Sequence, residues 1–383
     1  MKEKTFIFGA YEGVRQSLAG TIPTNVPSLT ARQGNLCADP ACSTFNAYPI
    51  ATNGVGRYLT FWPAPKSTDP VCPPSGACSV GAPGDSAVVS SQNNSAATEG
   101  FFTTRVDQKF SAKDSIFATY MFDNAKTHAT DPLDTWLVSR RQLVVLEEQH
   151  ILTSNLVNTF RVVFSRDSAI VNSPVGAIFP ASKDTTLGIF STHPQFAPQV
   201  FVGGLTNDAG GFGSDPTYHI HWNSYQLYDD AFWSRGRHSL KLGFALERMQ
   251  DNMLADSQPT GLIQFGSLPA FFNDQPTSAI ATIPGNLTER GMRETLVGGY
   301  IHDDWHVYPH LTVNLGLRYE ITTVPTEVQG KLSNTRLMTS PTNLYGLAVF
   351  SQSDLKGLRT PIGGCLGSLR RWQDLGQRWI RDF

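Results

Sequence analysis

Residues 311–322 alternate without a break. Leu311, Val313, Leu315, Leu317, Tyr319 and Ile321 fall on one face of an extended chain, with Thr312, Asn314, Gly316, Arg318, Glu320 and Thr322 on the other. Twelve residues of period two exceed the usual length of a soluble strand. In 238–247, Leu240, Leu242, Phe244 and Leu246 again share one face. Strands 114–124 (Ile116, Ala118, Tyr120, Phe122) and 155–166 (Leu156, Phe160, Val162, Phe164) repeat the pattern less cleanly.

Each of these strands follows another across a tight polar turn. The spacing predicts hairpins 100–111/114–124, 140–152/155–166, 218–234/237–249 and 293–307/310–322. Their turns carry Ala112-Lys113-Asp114, Ser154-Asn155, Ser234 to Arg237 and Tyr308-Pro309-His310, which is ordinary hairpin chemistry. Long stretches rich in Pro, Gly, Asn, Ser and Asp run between hairpins, at about 14–99, 125–139, 167–216 and 250–292. Short turns alternating with long loops are the habit of outer-membrane barrels, whose periplasmic turns are short and outer loops long. A soluble β-sandwich would mix turn lengths and use shorter strands. With Thr5 to Gly13 as an opening strand the expectation is an all-β, antiparallel transmembrane barrel segment of about nine strands. An odd count does not close a bacterial single-chain barrel, so a partial barrel is expected. Trp233, Trp305 and Tyr308 lie at short turns, where an aromatic girdle would meet the membrane interface.

Composition agrees. Charged residues are 16% of the 383, with 33 Gly and 24 Pro, a balance poor in helix formers. A net charge of −2 gives no electrostatic footprint for nucleic acid. No apolar run is long enough for a transmembrane helix, and a barrel leaves none, because its two faces alternate. The start, Met1 to Phe8, lacks the apolar stretch and cleavage site of a signal peptide. Either a cytoplasmic protein or a missing natural N-terminus follows, and the strand pattern favours the second.

Cys37 and Cys42, and Cys72 with Cys78, lie in one Pro/Gly/Ser-rich stretch. Two local disulfides fit, against free thiols or a four-thiolate zinc site whose loops would be looser than the usual knuckle. Cys365 stands alone. The acidic pairs Glu147/Glu148, Asp229/Asp230 and Asp303/Asp304 point to opposite faces of a strand, so no catalytic pair is expected and the chain is not read as an enzyme. His219 and His221, like His302 and His306, share a face, and lumen or interface histidines are favoured over a metal site. Gly203-Gly204 and Gly210 to Gly213 lie in a loop and make no phosphate-binding loop. No cofactor is implied. Arg161, Lys241, Glu247, Asn314, Arg318 and Glu320 are expected to face the lumen.

The stretch Tyr300 to Val307 continuing through Leu311 to Glu320 resembles a signature hairpin of TonB-dependent receptors, nearest the Oar-like, acidobacterial type. Phe8 to Gln16, Arg105 to Ser111, Asn155 to Arg161 and Ser234 to Gly243 resemble further strands of that family in family order, and the likeness covers about residues 3–350. The resemblance implies a barrel of about 22 strands with a plugged lumen in the cell outer membrane. Its expected partners are outer-membrane lipid, a plug domain that the six lumen residues would contact, and the TonB complex. The implied activity is uptake of a substrate that the loops do not identify. A passive porin or structural outer-membrane protein, and a secreted carbohydrate-binding β protein, are the competing readings. The barrel region is expected over 1–355. The tail 356–383 has neither strand alternation nor turn logic. Codons allowed for Leu366 to Asp374, read one nucleotide later, can spell a segment resembling the family's next stretch, so an out-of-frame tail is the expectation.

Overall fold

The computed structural model describes residues 4–130, 134–172, 180–189, 196–206, 218–255, 260–282, 289–334 and 344–345. Nine long strands dominate: β1 (Thr5–Pro27), β2 (Ser86–Lys109), β3 (Asp114–Ala129), β4 (Thr135–Thr153), β5 (Leu156–Asn172), β6 (Tyr218–Arg235), β7 (His238–Ala255), β8 (Glu289–Tyr308) and β9 (Leu311–Thr322). They form one antiparallel meander in which each strand pairs with its predecessor and successor. Strands β1 and β9 form the ends of the series and do not pair with each other, so the barrel is not closed. The tail 356–383 and Cys365 lie outside the described residues.

The register divides the sheet into two faces. One cross-strand row reads Ile7, Val106, Ala118, Leu146, Val162, Leu227, Leu246, Val297, Ile321, apolar at every one of nine strands. The next row, one residue away, reads Phe6, Asp107, Phe117, Glu147, Arg161, Tyr228, Ala245, Gly298, Glu320. A slip of one residue in any strand would exchange these faces, which is why the alternation holds the register. The rows also climb relative to the turns. Val106 is three residues short of the end of β2 at Lys109, and Val297 is eleven short of the end of β8 at Tyr308. That stagger is the shear of a tilted barrel wall.

The short turns are tied locally. Ser111 Oγ accepts from the amides of Lys113 and Asp114 at 2.9 and 3.1 Å. Gly236 opens the two-residue turn between β6 and β7 with φ +61°, a conformation that favours glycine. Neighbouring turns are joined where the Ser234 amide donates to the Asn155 carbonyl at 2.8 Å.

At the opposite end the expected loop boundaries need correction. Strand β1 runs to Pro27 and not to Gly13, β2 begins at Ser86, and β3 and β4 reach Ala129 and Thr135. Likewise β5 and β7 continue to Asn172 and Ala255. In these upper parts lipid no longer enforces alternation, yet backbone pairing persists, as where Ile22 faces Ser91. Polar segments therefore continue as strand with no sequence periodicity to show it.

The long connections are not irregular either. Segments 28–85, 180–189, 196–206 and 260–282 contribute to one cap with its own apolar core, built on Val26, Ala87 and Val89 of the β1–β2 arm. Its centre holds Phe61, Trp62, Phe271 and Phe272, each at most 1% exposed. Strand Gln199–Val202 runs parallel to Leu262–Phe265, which pairs antiparallel with Ser278–Ile280. A short helix, α1 (Leu268–Phe272), starts at Ser267, whose hydroxyl accepts from the Ala270 amide.

Candidate functional site

The polar face of the wall is the surface with chemistry to offer. Arg161 and Glu320 lie in the row that also holds Asp107 and Glu147. Glu247 aligns with Arg105 and Gln226, and Arg318 with Asp230 and Tyr300. Lys241 faces His302, and Asn314 faces Asp304. All six residues nominated from alternation therefore share one face, the one opposite the apolar row.

Several charges on this face are paired. Arg105 pairs with Asp107 at 2.7 Å, Arg161 with Glu147, and Arg318 with Glu320. Glu247 accepts from Ser224 Oγ at 2.6 Å and Gln226 Nε2 at 3.2 Å. Tyr300 lies across Gly243, and its hydroxyl donates to Asp230 Oδ1 at 2.8 Å. A β-carbon at Gly243 would stand 2.0 Å from the Tyr300 ring, so glycine is what lets the ring lie flat across the strand. Partly exposed pairs of this kind add little stability, but they give a wall of fixed, alternating charge.

The apolar face carries the nominated aromatics near the turns. Trp233 and Trp305 fall in its rows. Trp305 stacks on His238 with centroids 5.5 Å apart, and Arg235 sits 5.4 Å over Trp233. Tyr308, at the last turn, is 65% exposed. Leu315 and Leu317 are 54% and 62% exposed. A sheet face with whole rows of exposed apolar side chains, interrupted toward the turns by acids such as Asp229, Asp303 and Glu148, is untenable in water and suits a lipid-facing wall.

The acidic pairs split between faces, as strand geometry demands: Asp229 opposes Phe244 while Asp230 opposes Gly243. His221 is engaged by Ser168 Oγ at 2.9 Å and His302 by Asp304 at 2.9 Å. His219 and His221 border a cavity of about 300 Å³ with Glu289, Glu327 and Lys331. Sequence reasoning weighed Glu148 only beside Glu147 and did not group it with Asp114 and His150; the ligand atoms of these three lie within 4.8 Å of one another. They come from two strands, so no spacing along the chain signals them. Gly203-Gly204 sits in a turn after strand Gln199–Val202; Gly210 to Gly213 lie outside the described residues.

In the cap, Cys37 is bonded to Cys42 and Cys72 to Cys78, so these four sulfurs are not gathered as thiolates. Asp85 joins the two loops: its side chain accepts from the Cys37 amide at 2.7 Å, and its amide donates to the Cys72 carbonyl at 3.2 Å. Burial raises the Asp85 pKa against that hydrogen bond. Asp39 accepts from the side chains and amides of Ser43 and Thr44. The Thr44 and Ser43 hydroxyls in particular hold its carboxyl well below the usual range. Arg32 donates to the carbonyls of Pro27, Leu59, Trp62 and Pro63. Its pKa is lowered by burial. Contacts between distant segments close the cap: Asn53 Nδ2 donates to the Phe272 carbonyl at 2.6 Å, Tyr58 to the Leu187 carbonyl at 2.9 Å, and Arg57 pairs with Asp184 at 3.0 Å.

No curated protein matches the chain. The family described as outer membrane beta barrel domain matches residues 1–362. A meander of long strands with one lipid-suited face, one polar face, short turns at one end and long connections at the other is what an outer-membrane barrel wall requires, and the chain belongs to that family, as a protein of the cell outer membrane.

Proposed function

We propose that this chain is the barrel region of a TonB-dependent receptor of the Oar-like type. It works in energised uptake of a substrate whose class is open, and it performs no catalysis itself. Its nine strands contribute to a wall of about 22, and its partners are a plug domain inside the wall and the TonB complex. The observation that carries the reading is the charged polar face, where Arg161 pairs with Glu147, Arg318 pairs with Glu320, and the Ser224 and Gln226 side chains hold Glu247. Such a network suits a fixed protein surface packed against it, as a plug would be. The family-order hairpin motifs support the same reading.

Crosslinking in cells separates this from a passive pore. A photo-crosslinker placed at Gln226 or Thr119, on the polar face, is expected to capture a plug polypeptide identifiable by mass spectrometry. One at Leu246 should capture lipid only. Failure to capture protein from the polar face, together with steady open-channel conductance in planar bilayers, would replace the receptor by a porin.

A further inference from the structure

The lipid-suited face changes character above its apolar rows. Continuing upward on that face, the strands present Arg15, Lys126, Arg140, Arg166, Arg248 and Arg293. Arg15, Arg166 and Arg248 stand ten residues beyond the first residue of β1, β5 and β7. Lys126 stands twelve beyond the start of β3, while Arg140 and Arg293 lie thirteen and fifteen before the ends of β4 and β8. A membrane-spanning strand takes about 9–11 residues. Counted from the periplasmic turns, these cations therefore lie at the headgroups of the outer leaflet, on the side of the wall that meets lipid.

Two contrasts set them apart. Among the described residues of the nine strands, Glu289 is the one carboxylate on this face above the apolar row, and Lys331 Nζ lies 4.0 Å from it. The acids of the same strand stretches, such as Asp123, Asp167 and Asp251, stand on the polar face. Second, the polar-face arginines Arg105, Arg141, Arg161 and Arg318 are each paired with a carboxylate. The outward ones instead hydrogen-bond neutral groups: Arg140 to Asn124, Arg166 to Asn223, Arg248 to Thr295 and Arg293 to Asn252. These bonds orient the guanidinium groups, and among the described residues none of the four forms a close ion pair, although Arg293 also feels the Asp251 carboxylate.

We propose that this outward basic belt binds the phosphate groups of outer-leaflet glycolipids. Arginine's planar fork fits two phosphate oxygens at once. The belt is continuous with the lipid-facing wall, which fixes the occupant as a lipid headgroup and not a soluble anion. The inference rests on the outer-membrane location and not on the receptor reading.

Native mass spectrometry of the full chain, extracted from outer membranes in mild detergent, tests it. The probes are bis-phosphorylated lipid A and the same glycolipid stripped of its phosphates. The phosphorylated form is expected to bind about tenfold more tightly, and excess inorganic phosphate to leave it bound. Arg140→Gln with Arg166→Gln and Arg248→Gln should lose that preference, whereas Arg161→Gln with Arg318→Gln on the polar face should keep it. The triple Arg→Lys variant at the outward positions should retain most of the binding, and heat-modifiable gel mobility confirms that each variant folds. Equal binding of both glycolipids, displacement by inorganic phosphate, equal loss in the outward and polar-face variants, or a Lys variant no better than the Gln variant would each overturn the proposal.

Discussion

Leu315 and Leu317 in the wall are more than half exposed, whereas Phe61 and Phe271 in the cap are fully buried. The two regions are made by one chain for two solvents. In the wall each strand satisfies its backbone through its neighbours, and its apolar side chains need no protein partner because lipid supplies one. In the cap, water surrounds the segments, so apolar groups from distant parts of the chain must cover one another. The wall is therefore built from contacts between adjacent strands, and the cap from contacts such as Asn53 to Phe272 and Tyr58 to Leu187 that span more than a hundred residues.

The sharpest way to break this contrast is inside the cap core. Phe271→Ala should destabilise the cap by about 3–5 kcal/mol, read as earlier protease cleavage in 28–85 and 260–282, with heat-modifiable mobility of the barrel unchanged. If barrel insertion fails too, the regions are not energetically separate. In the wall, Leu242→Arg places a charge on the apolar face and should cost about 2–4 kcal/mol near the bilayer centre, measured by urea titration of folding in vesicles. Glu247→Arg, five residues away on the polar face, should cost well under half of that. Equal costs would show that the faces are misassigned.

A smaller effect is expected from covalent closure. Replacing Cys37 and Cys42 by serine opens a short loop and should lower cap stability by about 2 kcal/mol, followed by hydrogen exchange of the amides around Asp85. The wall strands should exchange as before. The smallest effect is electrostatic. Asp39 has a folded-state pKa held below its unfolded value. Its contribution is thus present above about pH 4 and lost as pH falls below that. Asp85, raised by burial, opposes this in sign. Asp39→Asn should flatten the acid-side decline of the cap melting temperature, and an unchanged profile would show that the hydroxyl cradle of Ser43 and Thr44 contributes nothing.

The wall was legible where lipid dictates one face. Nine strands, their four short turns and the facing of Arg161, Lys241 and Arg318 follow from period-two alternation, because side chains in a strand must alternate whatever surrounds them. Legibility stopped at the bilayer surface. The upper halves of β1 and β2, with stretches such as Ser90 to Gln92, carry no alternation, since their stability comes from pairing with each other. The cap was read as irregular loop for a related reason: Phe61, Trp62 and Phe271 lie in segments without period, and their burial depends on three segments meeting. The group Asp114, Glu148 and His150 and the basic belt were invisible too, because each is assembled across strands.

The sequence by itself determined the element type, the hairpin order and which face of each strand meets lipid, since these depend on neighbours one to a few residues apart. Only the tertiary structure decided where the strands end, that the long connections pack into a cap, and that charges of opposite sign part company above the apolar rows. Those features arise from register and from contacts between residues far apart in the chain, and no local pattern records them.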